Sequence, residues 1–282
     1  MLEPALSKIR AAYFPGKRRL LSPWVPRSGV RRARIFGAEF ELDLGDLIQR
    51  EMYLGTFETL EARALAPLIP SGGVFVDVGA NAGYFTALAS RSVGPGGQVL
   101  AYEPSAQACD QLRAMVARNR MAQVEVIPVA LTSRPGHVDL YVSSASGNHT
   151  PTLVPNAGGT ATPVEARTLD TEFLRLGLSR IDVLKIDVEG YEGHVLAGAS
   201  GLLEQGRIQY ILCEFSPAWL AAAGTSCAEL SERLESFGYE RMRSTWLPAE
   251  NPNRLYVRSR ALASSRACVH ATTSLPAPSS SF

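Results

Sequence analysis

The sequence predicts an α/β fold: a doubly wound, mostly parallel sheet of seven strands with an antiparallel last strand. Three observations predict it. Short apolar runs typical of buried strands alternate with segments that carry apolar residues at helical spacing. The loops between them are short, as in strand–helix–strand units of a parallel sheet. The last two strand-like segments follow each other without a helix, which indicates an antiparallel pair.

Residues 1–34 are predicted to form a basic arm, interrupted by Pro15, Pro23 and Pro26. Its Lys and Arg residues concentrate at residues 17–19 and 31–34, which is typical of a solvated segment. The alternative is an arm that contacts an anionic substrate or partner. Residues 35–44 alternate apolar and polar side chains and predict a strand or a hairpin.

A domain over residues 35–258 is predicted to contain the regular alternation. A helix over residues 57–68 and a turn at 71–73 precede the first parallel strand. The remaining elements are expected in this order: strand 74–78, helix 84–93, strand 98–104, helix 106–120, strand 124–131, strand 181–188, helix 191–206, strand 208–215, helix 227–238 and strands 239–244 and 253–259.

The alternation is interrupted at residues 132–170. Within this insertion, residues 137–143 and 163–168 predict strands, and the span between them is rich in Gly, Ser, Thr, Asn and Pro. Long insertions of this composition are commonly lids or binding loops. We therefore expect a lid that is mobile without ligand. Residues 259–282 are small and polar and predict a disordered tail.

Composition argues against several classes of protein. The 282 residues carry a net charge of +1, so no general affinity for nucleic acid or an anionic membrane is expected. No segment approaches the roughly 20 apolar residues that span a membrane, and no secretory signal pattern is found. The cysteines form no CxxC pair, which favours a reducing cytoplasm over a disulfide framework or a zinc site; they are Cys109, Cys213, Cys227 and Cys268.

A turn of small residues follows the first parallel strand, in the segment VFVDVGANAGYF at residues 74–85. Asp77 ends the strand, and Gly79 and Gly83 flank Asn81. Such a turn lets a ligand approach the backbone at the carboxyl edge of the sheet. The dinucleotide pattern G-x-G-x-x-G would have glycine where Asp77 stands. A carboxylate would repel a pyrophosphate but attract a cation, so the turn predicts S-adenosylmethionine (SAM).

Glu103 closes the next strand, about 20 residues after the turn, the spacing at which an acid meets the hydroxyls of a bound ribose. Its two oxygens can accept both hydroxyl protons. The alternative is a surface acid that merely ends a strand. Combined with the turn, Glu103 favours SAM over a dinucleotide.

Several segments resemble the FkbM-type methyltransferases: FVDVGANAGYF, AYEP, VIPVAL, and VLKIDVEGYEGHVLAGA followed by CEF. The resemblance covers residues 53–214 and includes the upstream YLGTFE. It implies a Rossmann-like fold that uses SAM to methylate a hydroxyl, commonly on a natural product or a sugar. It also implies further cofactor-binding residues, namely Tyr53, Pro104, Ala130 and Asp187.

Acidic residues cluster after the fourth parallel strand, in KIDVEGYE at residues 185–192. Strand alternation places Lys185, Asp187 and Glu189 on one face, next to the expected methyl group. A carboxylate can take the proton of a hydroxyl acceptor. Asp187 is the first candidate because Lys185 can keep it ionised, and Glu189 is the second. The alternative is that both carboxylates only brace the loop.

Three further residues are candidates for catalysis. Glu214 ends the next strand and either faces the same cleft or caps the following turn. His149 of the insertion could reach the acceptor, or be solvated, and His194 is more typical of a structural residue. Asp187, Glu189 and Glu214 could hold a divalent cation, but no spacing requires it, so we predict no metal.

The predicted function is a cytoplasmic SAM-dependent O-methyltransferase. Its expected acceptor is a hydroxyl of a small molecule, natural product or saccharide, with neither nucleic acid nor membrane as partner. One alternative is a methyltransferase that acts on RNA, DNA or protein. The motif DVEG stands where base-modifying enzymes usually carry Asn-Pro-Pro-Tyr, which argues against a nucleic-acid base. Another alternative is a SAM-binding scaffold without catalysis.

Overall fold

The structure is a computed structural model that describes residues 16–142, 151–155 and 160–259. Its strands are β1 (Val30–Ile35), β2 (Ala38–Asp43), β3 (Val74–Val78), β4 (Gln98–Tyr102), β5 (Val124–Ile127), β6 (Ala130–Leu131), β7 (Gly136–Val142), β8 (Pro151–Thr152), β9 (Thr160–Arg167), β10 (Ile181–Ile186), β11 (Ile208–Glu214), β12 (Tyr239–Arg241) and β13 (Asn253–Arg258).

The first helix precedes β1, and the other helices lie between strands along the chain. They are α1 (Lys17–Leu21), α2 (Leu47–Leu54), α3 (Thr59–Leu65), α4 (Tyr84–Val93), α5 (Ala106–Arg118), α6 (Leu169–Arg175), α7 (Glu192–Ala197), α8 (Ser200–Glu204), α9 (Pro217–Ala222) and α10 (Cys227–Ser236). Short 3₁₀ turns follow α1 and α3, at Ser22–Trp24 and Ala66–Leu68.

The main sheet has seven strands in the order β12-β13-β11-β10-β3-β4-β5. The strands from β11 to β5 pair in parallel. β13 runs antiparallel to both β11 and β12. The predicted fold class is therefore confirmed, including the antiparallel strand at the end of the chain.

Helices cover both faces of this sheet because its strands are apolar on both faces. In β3, Val76 and Val78 belong to one buried cluster, together with Leu196 of α7 and Leu234 of α10. Phe75 points to the opposite cluster with α4 and α5. Strands buried on both sides are typical of a parallel sheet in a doubly wound fold.

The insertion forms a second sheet in the order β6-β9-β7-β8. Its strands β7 and β9 correspond to the two strands predicted within residues 132–170. The predicted strand 124–131 is divided instead, because Pro128 has no N–H to continue the pairing of β5. After Pro128 the chain changes sheets, and Ala130 of β6 pairs with Ala166 of β9.

The predicted helix 191–206 is divided into α7 and α8 at Gly198 and Ala199. A Cβ built on Gly198 would overlap the carbonyl oxygen of Thr132. The break therefore lets the start of the insertion lie directly against this segment. Sequence periodicity does not reveal such a contact between distant parts of the chain.

Residues 16–34 differ from the predicted free arm. Lys17 is buried, and its ammonium donates a hydrogen bond to the carbonyl of Gly55 at 2.8 Å. Arg18 lies 2.7 Å from the Glu51 carboxylate. β1 crosses the predicted boundary at residue 34 and forms a hairpin with β2.

Apart from Ser259, the predicted tail lies outside the described residues, and within the described part no helix is long and apolar enough to cross a membrane.

Candidate active site

A cleft with a volume of about 280 Å³ opens at the carboxyl edge of the main sheet. Parallel strands end at the same edge, so the residues that follow β3, β4, β10 and β11 meet there. The insertion supplies another wall through Leu140, Pro151, Thr152 and Leu153. The Thr152 hydroxyl donates a 2.9 Å hydrogen bond to the carbonyl of Glu189, which fixes this wall to the loop after β10.

The glycine-rich turn after β3 forms the floor of this cleft. The amides of Gly79 and Ala80 donate to the carbonyl of Tyr102 at 3.0 and 3.1 Å. Gly79 has a φ of 76°, and a Cβ there would overlap the carbonyl oxygen of Asp187. Asn81, with a φ of 47°, completes the tight turn and lines the cleft.

Gly83 does not line the cleft, contrary to the expectation that a ligand needs its space. Its φ is 90°, and a Cβ would lie 2.6 Å from Leu112 and from Met115 of α5. A side chain at this position would be strained at this φ and would require the Leu112 and Met115 side chains to move. The packing of α4 against α5 gives a sufficient reason for this glycine.

Asp77 lies beneath the cleft and does not line it. Its side chain has no exposed surface, and the Thr86 hydroxyl donates to it at 2.7 Å. Its partner across the β3–β10 register is Lys185, whose ammonium lies 3.5 Å from the second carboxylate oxygen. The predicted direct contact of Asp77 with the cofactor is therefore not supported. The residue anchors Lys185 from below.

Lys185 joins the turn to the acids above it. Its ammonium donates to the carbonyl of Gly79 at 2.8 Å and lies 3.4 Å from the Asp187 carboxylate. Burial alone would lower the pKa of Lys185, but the Asp187 and Asp77 carboxylates hold this pKa above its ordinary value. Among the described residues that line the cleft, Lys185 is the only Lys, Arg or His.

Glu103 faces the cleft from the end of β4 and is only 3% exposed. The amides of Asn81 and Ser105 each donate to one of its oxygens at 2.9 Å. Burial raises the pKa of Glu103, and these two amides partly offset that effect. Each oxygen keeps a lone pair for a further donor, so the carboxylate is held in place to accept two hydroxyl groups.

The acids after β10 and at the end of β11 share the cleft. Glu189 stands in the left-handed region with a φ of 53°. Burial, with Asp187 as a further cause, raises the pKa of Glu189 to about 7 and the pKa of Glu214 to about 9. One oxygen of Glu214 is buried without a hydrogen bond. These raised pKa values leave Glu214 protonated and Glu189 only partly ionised at neutral pH.

Glu192 and His194 have other roles. Glu192 is 1% exposed and accepts hydrogen bonds from the amides of Val188 and Gly190 at 3.0 and 3.2 Å, so it braces the loop after β10. His194 stacks on Tyr191 at 4.0 Å and does not line the cleft. Burial lowers the pKa of His194. The candidate His149 lies outside the described residues.

The residues implied by the resemblance divide between two cavities. Pro104, Ala130 and Asp187 line the cleft. Tyr53 does not; it lines a neighbouring cavity of about 700 Å³ behind α2 and α3. Tyr53 is therefore not placed to contact a ligand in the cleft.

Glu58 lines the cleft but was not among the predicted site residues. Burial, followed by the nearby Asp187, raises its pKa well above the ordinary value. A sequence signal for this site residue was present, because Glu58 ends the segment YLGTFE.

In the described part of the chain, no three His, Cys, Asp or Glu residues are placed to hold a metal ion.

The fold and the cleft define an α/β protein with a cleft at the carboxyl ends of its parallel strands. The family model described as "Methyltransferase FkbM domain" matches residues 77–241, so the chain belongs to the FkbM methyltransferase family.

A curated relative and two solved structures are similar to this chain. Methyltransferase sdnD of Sordaria araneosa is 33% identical over 162 residues, which are 46% of this chain; the chain spans 61% of that protein. Methyltransferase FkbM of Methylobacillus flagellatus KT is 17% identical, with a TM-score of 0.46 over 66% of this chain and 44% of that one. Fibrillarin of Aeropyrum pernix, solved with S-adenosyl-L-methionine, is 15% identical, with a TM-score of 0.43 over 84% of this chain and 86% of that one.

Proposed function

We propose that this chain is a SAM-dependent O-methyltransferase that acts on a hydroxyl of a small molecule, natural product or saccharide. The observation that carries the proposal is the arrangement of carboxyl groups in one cleft. Glu103, held by two backbone amides, is placed at one side, and acids with raised pKa values, Glu189 and Glu214, are placed at the other. Glu103 would therefore bind a ribose at its end of the cleft, and the acids at the other end would serve proton transfer.

The residues present fit SAM. Glu103 would accept hydrogen bonds from the ribose hydroxyls, and Asn81, Pro104 and Ala130 would line the same end of the cleft. Glu189, partly ionised near pH 7, would favour a positively charged ligand. SAM supplies a methyl group activated on a sulfonium.

Glu189 is the candidate that would take the proton from the acceptor hydroxyl. The structure favours it over Asp187 because the Asp187 carboxylate is already paired with the Lys185 ammonium 3.4 Å away. A base with a pKa near the working pH is also the more effective one. Glu214 would keep its proton at neutral pH and could donate a hydrogen bond. Glu189 would take the hydroxyl proton while the acceptor oxygen would bond to the methyl group that SAM supplies, with the methyl–sulfur bond as the bond that is broken.

The test is methyl transfer from labelled SAM to a panel of saccharides, aliphatic alcohols and phenols, with RNA and a protein extract as further acceptors. The proposal expects transfer to a small hydroxyl compound. Transfer to RNA or protein alone would instead support a macromolecular acceptor. Binding of SAM without transfer to any acceptor would support a scaffold.

Glu189→Gln is expected to lower turnover by about 10²-fold or more, because general-base assistance is worth 10²–10⁴-fold. The wild-type kcat/KM for SAM should rise with pH as Glu189 ionises near pH 7, and this limb should be absent in the variant. Asp187→Asn should lower turnover less and keep the rise of kcat/KM with pH, displaced to lower pH because Asp187 helps to raise the pKa of Glu189.

The measurement is a rate profile from pH 5.5 to 8.5, with Glu125→Gln as control because Glu125 is an exposed acid of β5. A variant Glu189→Gln that keeps full turnover would assign the base to another residue. Loss of activity together with a large fall in melting temperature would indicate that Glu189 only braces its loop.

A further inference from the structure

Glu58 holds its backbone in the left-handed region, with a φ of 38° and a ψ of 39°. It is the N-cap of α3, where a side chain normally accepts a hydrogen bond from the first turn of the helix. The Glu58 side chain makes no such bond. Strained backbone of this kind persists where its surroundings demand it, and it is common at functional sites. Starting the helix does not account for a glutamate here.

The Glu58 side chain lines the cleft from the α3 side. Charged groups act on it from several elements: Glu61 from its own helix, Lys185 and Asp187 from β10 and its end, and Glu214 from β11. The phenol of Tyr84 in α4 also interacts with it. Burial in the first place, followed by the nearby Asp187 carboxylate, raises the pKa of Glu58 against the opposing effect of Lys185 and favours a neutral, protonated Glu58. A neutral carboxyl group can both donate and accept a hydrogen bond, as a hydroxyl does.

We propose that Glu58 contacts the acceptor and binds a second hydroxyl beside the one that is methylated. The inference rests on the proposed function and narrows its substrate class to a diol or polyol, the pattern of a saccharide. During the reaction the proton of the methylated hydroxyl goes to Glu189. Glu58 keeps its own proton and holds the acceptor in position.

Two variants separate this role from a structural one. Glu58→Gly removes the carboxyl group and relieves the backbone strain, so the melting temperature should rise by about 2–4 °C. The same variant should lose about 10-fold in kcat/KM for the acceptor, the worth of one good hydrogen bond. Glu58→Gln keeps a hydrogen-bond donor and an acceptor on a side chain of the same shape. Its kcat/KM for the acceptor should therefore stay within about 3-fold of the wild type.

A matched control is Arg120→Gly. Arg120 is exposed, lies away from the cleft and has a φ of 52°. Its replacement should relieve strain of the same kind and raise the melting temperature without changing kcat/KM. The affinity of S-adenosylhomocysteine (SAH), measured by calorimetry, should be unchanged in all three variants, because Glu58 is assigned to the acceptor.

The kinetic experiment compares kcat/KM for two acceptors. One is a diol that the wild type methylates in the panel, and the other is the analogue of that diol that lacks the second hydroxyl. The wild type should prefer the diol, and Glu58→Gly should lose that preference. Equal kcat/KM in wild type and Glu58→Gly, a lower melting temperature of Glu58→Gly, or a Glu58→Gln as inactive as Glu58→Gly would each overturn the inference while leaving the proposed function intact. A wild type that binds no SAH and methylates no acceptor would overturn both.

Discussion

Replacing Gly79 with alanine is expected to cost about 3–5 kcal/mol of the free energy of unfolding and to abolish SAH binding. The residue has a φ of 76°, and an added Cβ would overlap the carbonyl oxygen of Asp187. Backbone atoms on both sides of the contact cannot turn aside as a flexible side chain can. The turn after β3 and the loop after β10 would have to separate, and the floor of the cleft is formed by that contact.

Gly72→Ala is the matched control, because Gly72 has a φ of 73° but its built Cβ comes no closer than 3.9 Å to another residue. Only the backbone strain applies there, so the expected loss is about 1–2 kcal/mol. Chemical denaturation of the two variants measures the difference. Equal losses would show that the close approach of the Asp187 carbonyl adds nothing.

Lys185→Met is expected to destabilise the protein by about 3–5 kcal/mol, the usual effect of removing one partner of a buried ion pair. Asp77 has no exposed surface, and the oxygen that faces Lys185 makes no hydrogen bond. The substitution would leave this carboxylate unpaired and would also remove the donor to the carbonyl of Gly79. The glycine-rich turn would then lose its link to β10.

The double variant Asp77→Asn with Lys185→Met tests the cause. It removes both charges and keeps an acceptor for the Thr86 hydroxyl, so it should recover at least half of the lost stability. A Lys185→Met protein within about 1 kcal/mol of the wild type, or a double variant less stable than the single one, would contradict the buried pair.

The parallel sheet could be predicted because its information is local. Apolar runs such as Val74–Val78 and Ile181–Ile186 form strands wherever they lie in the chain. Glu103 could be placed at the cleft for a similar reason: β4 lies beside β3, so its end meets the turn after β3. Helix α2 was not predicted, although the sequence carries an N-cap residue, Asp46, and a terminating glycine, Gly55, at its ends.

The features that could not be predicted from the sequence depend on the register of strand pairing and on contacts between distant segments of the chain. The alternation of Lys185 and Asp187 was predictable, but the pairing of Lys185 with Asp77 follows from the β3–β10 register. That pairing turns Asp77 from an expected ligand contact into a buried anchor. Glu58 reaches the cleft through a strained backbone that no periodicity predicts.

Calorimetric titration of SAH into the wild type and Glu103→Gln tests whether the cleft binds the cofactor and whether Glu103 contributes to that binding. A glutamine at 103 must place its NH₂ group against the amide of Asn81 or Ser105, or against the ribose hydroxyls. We expect one SAH site in the wild type and a loss of about 10- to 150-fold in affinity in Glu103→Gln, with Glu125→Gln unchanged. No binding of SAH to the wild type, or equal affinity in the wild type and Glu103→Gln, would contradict it.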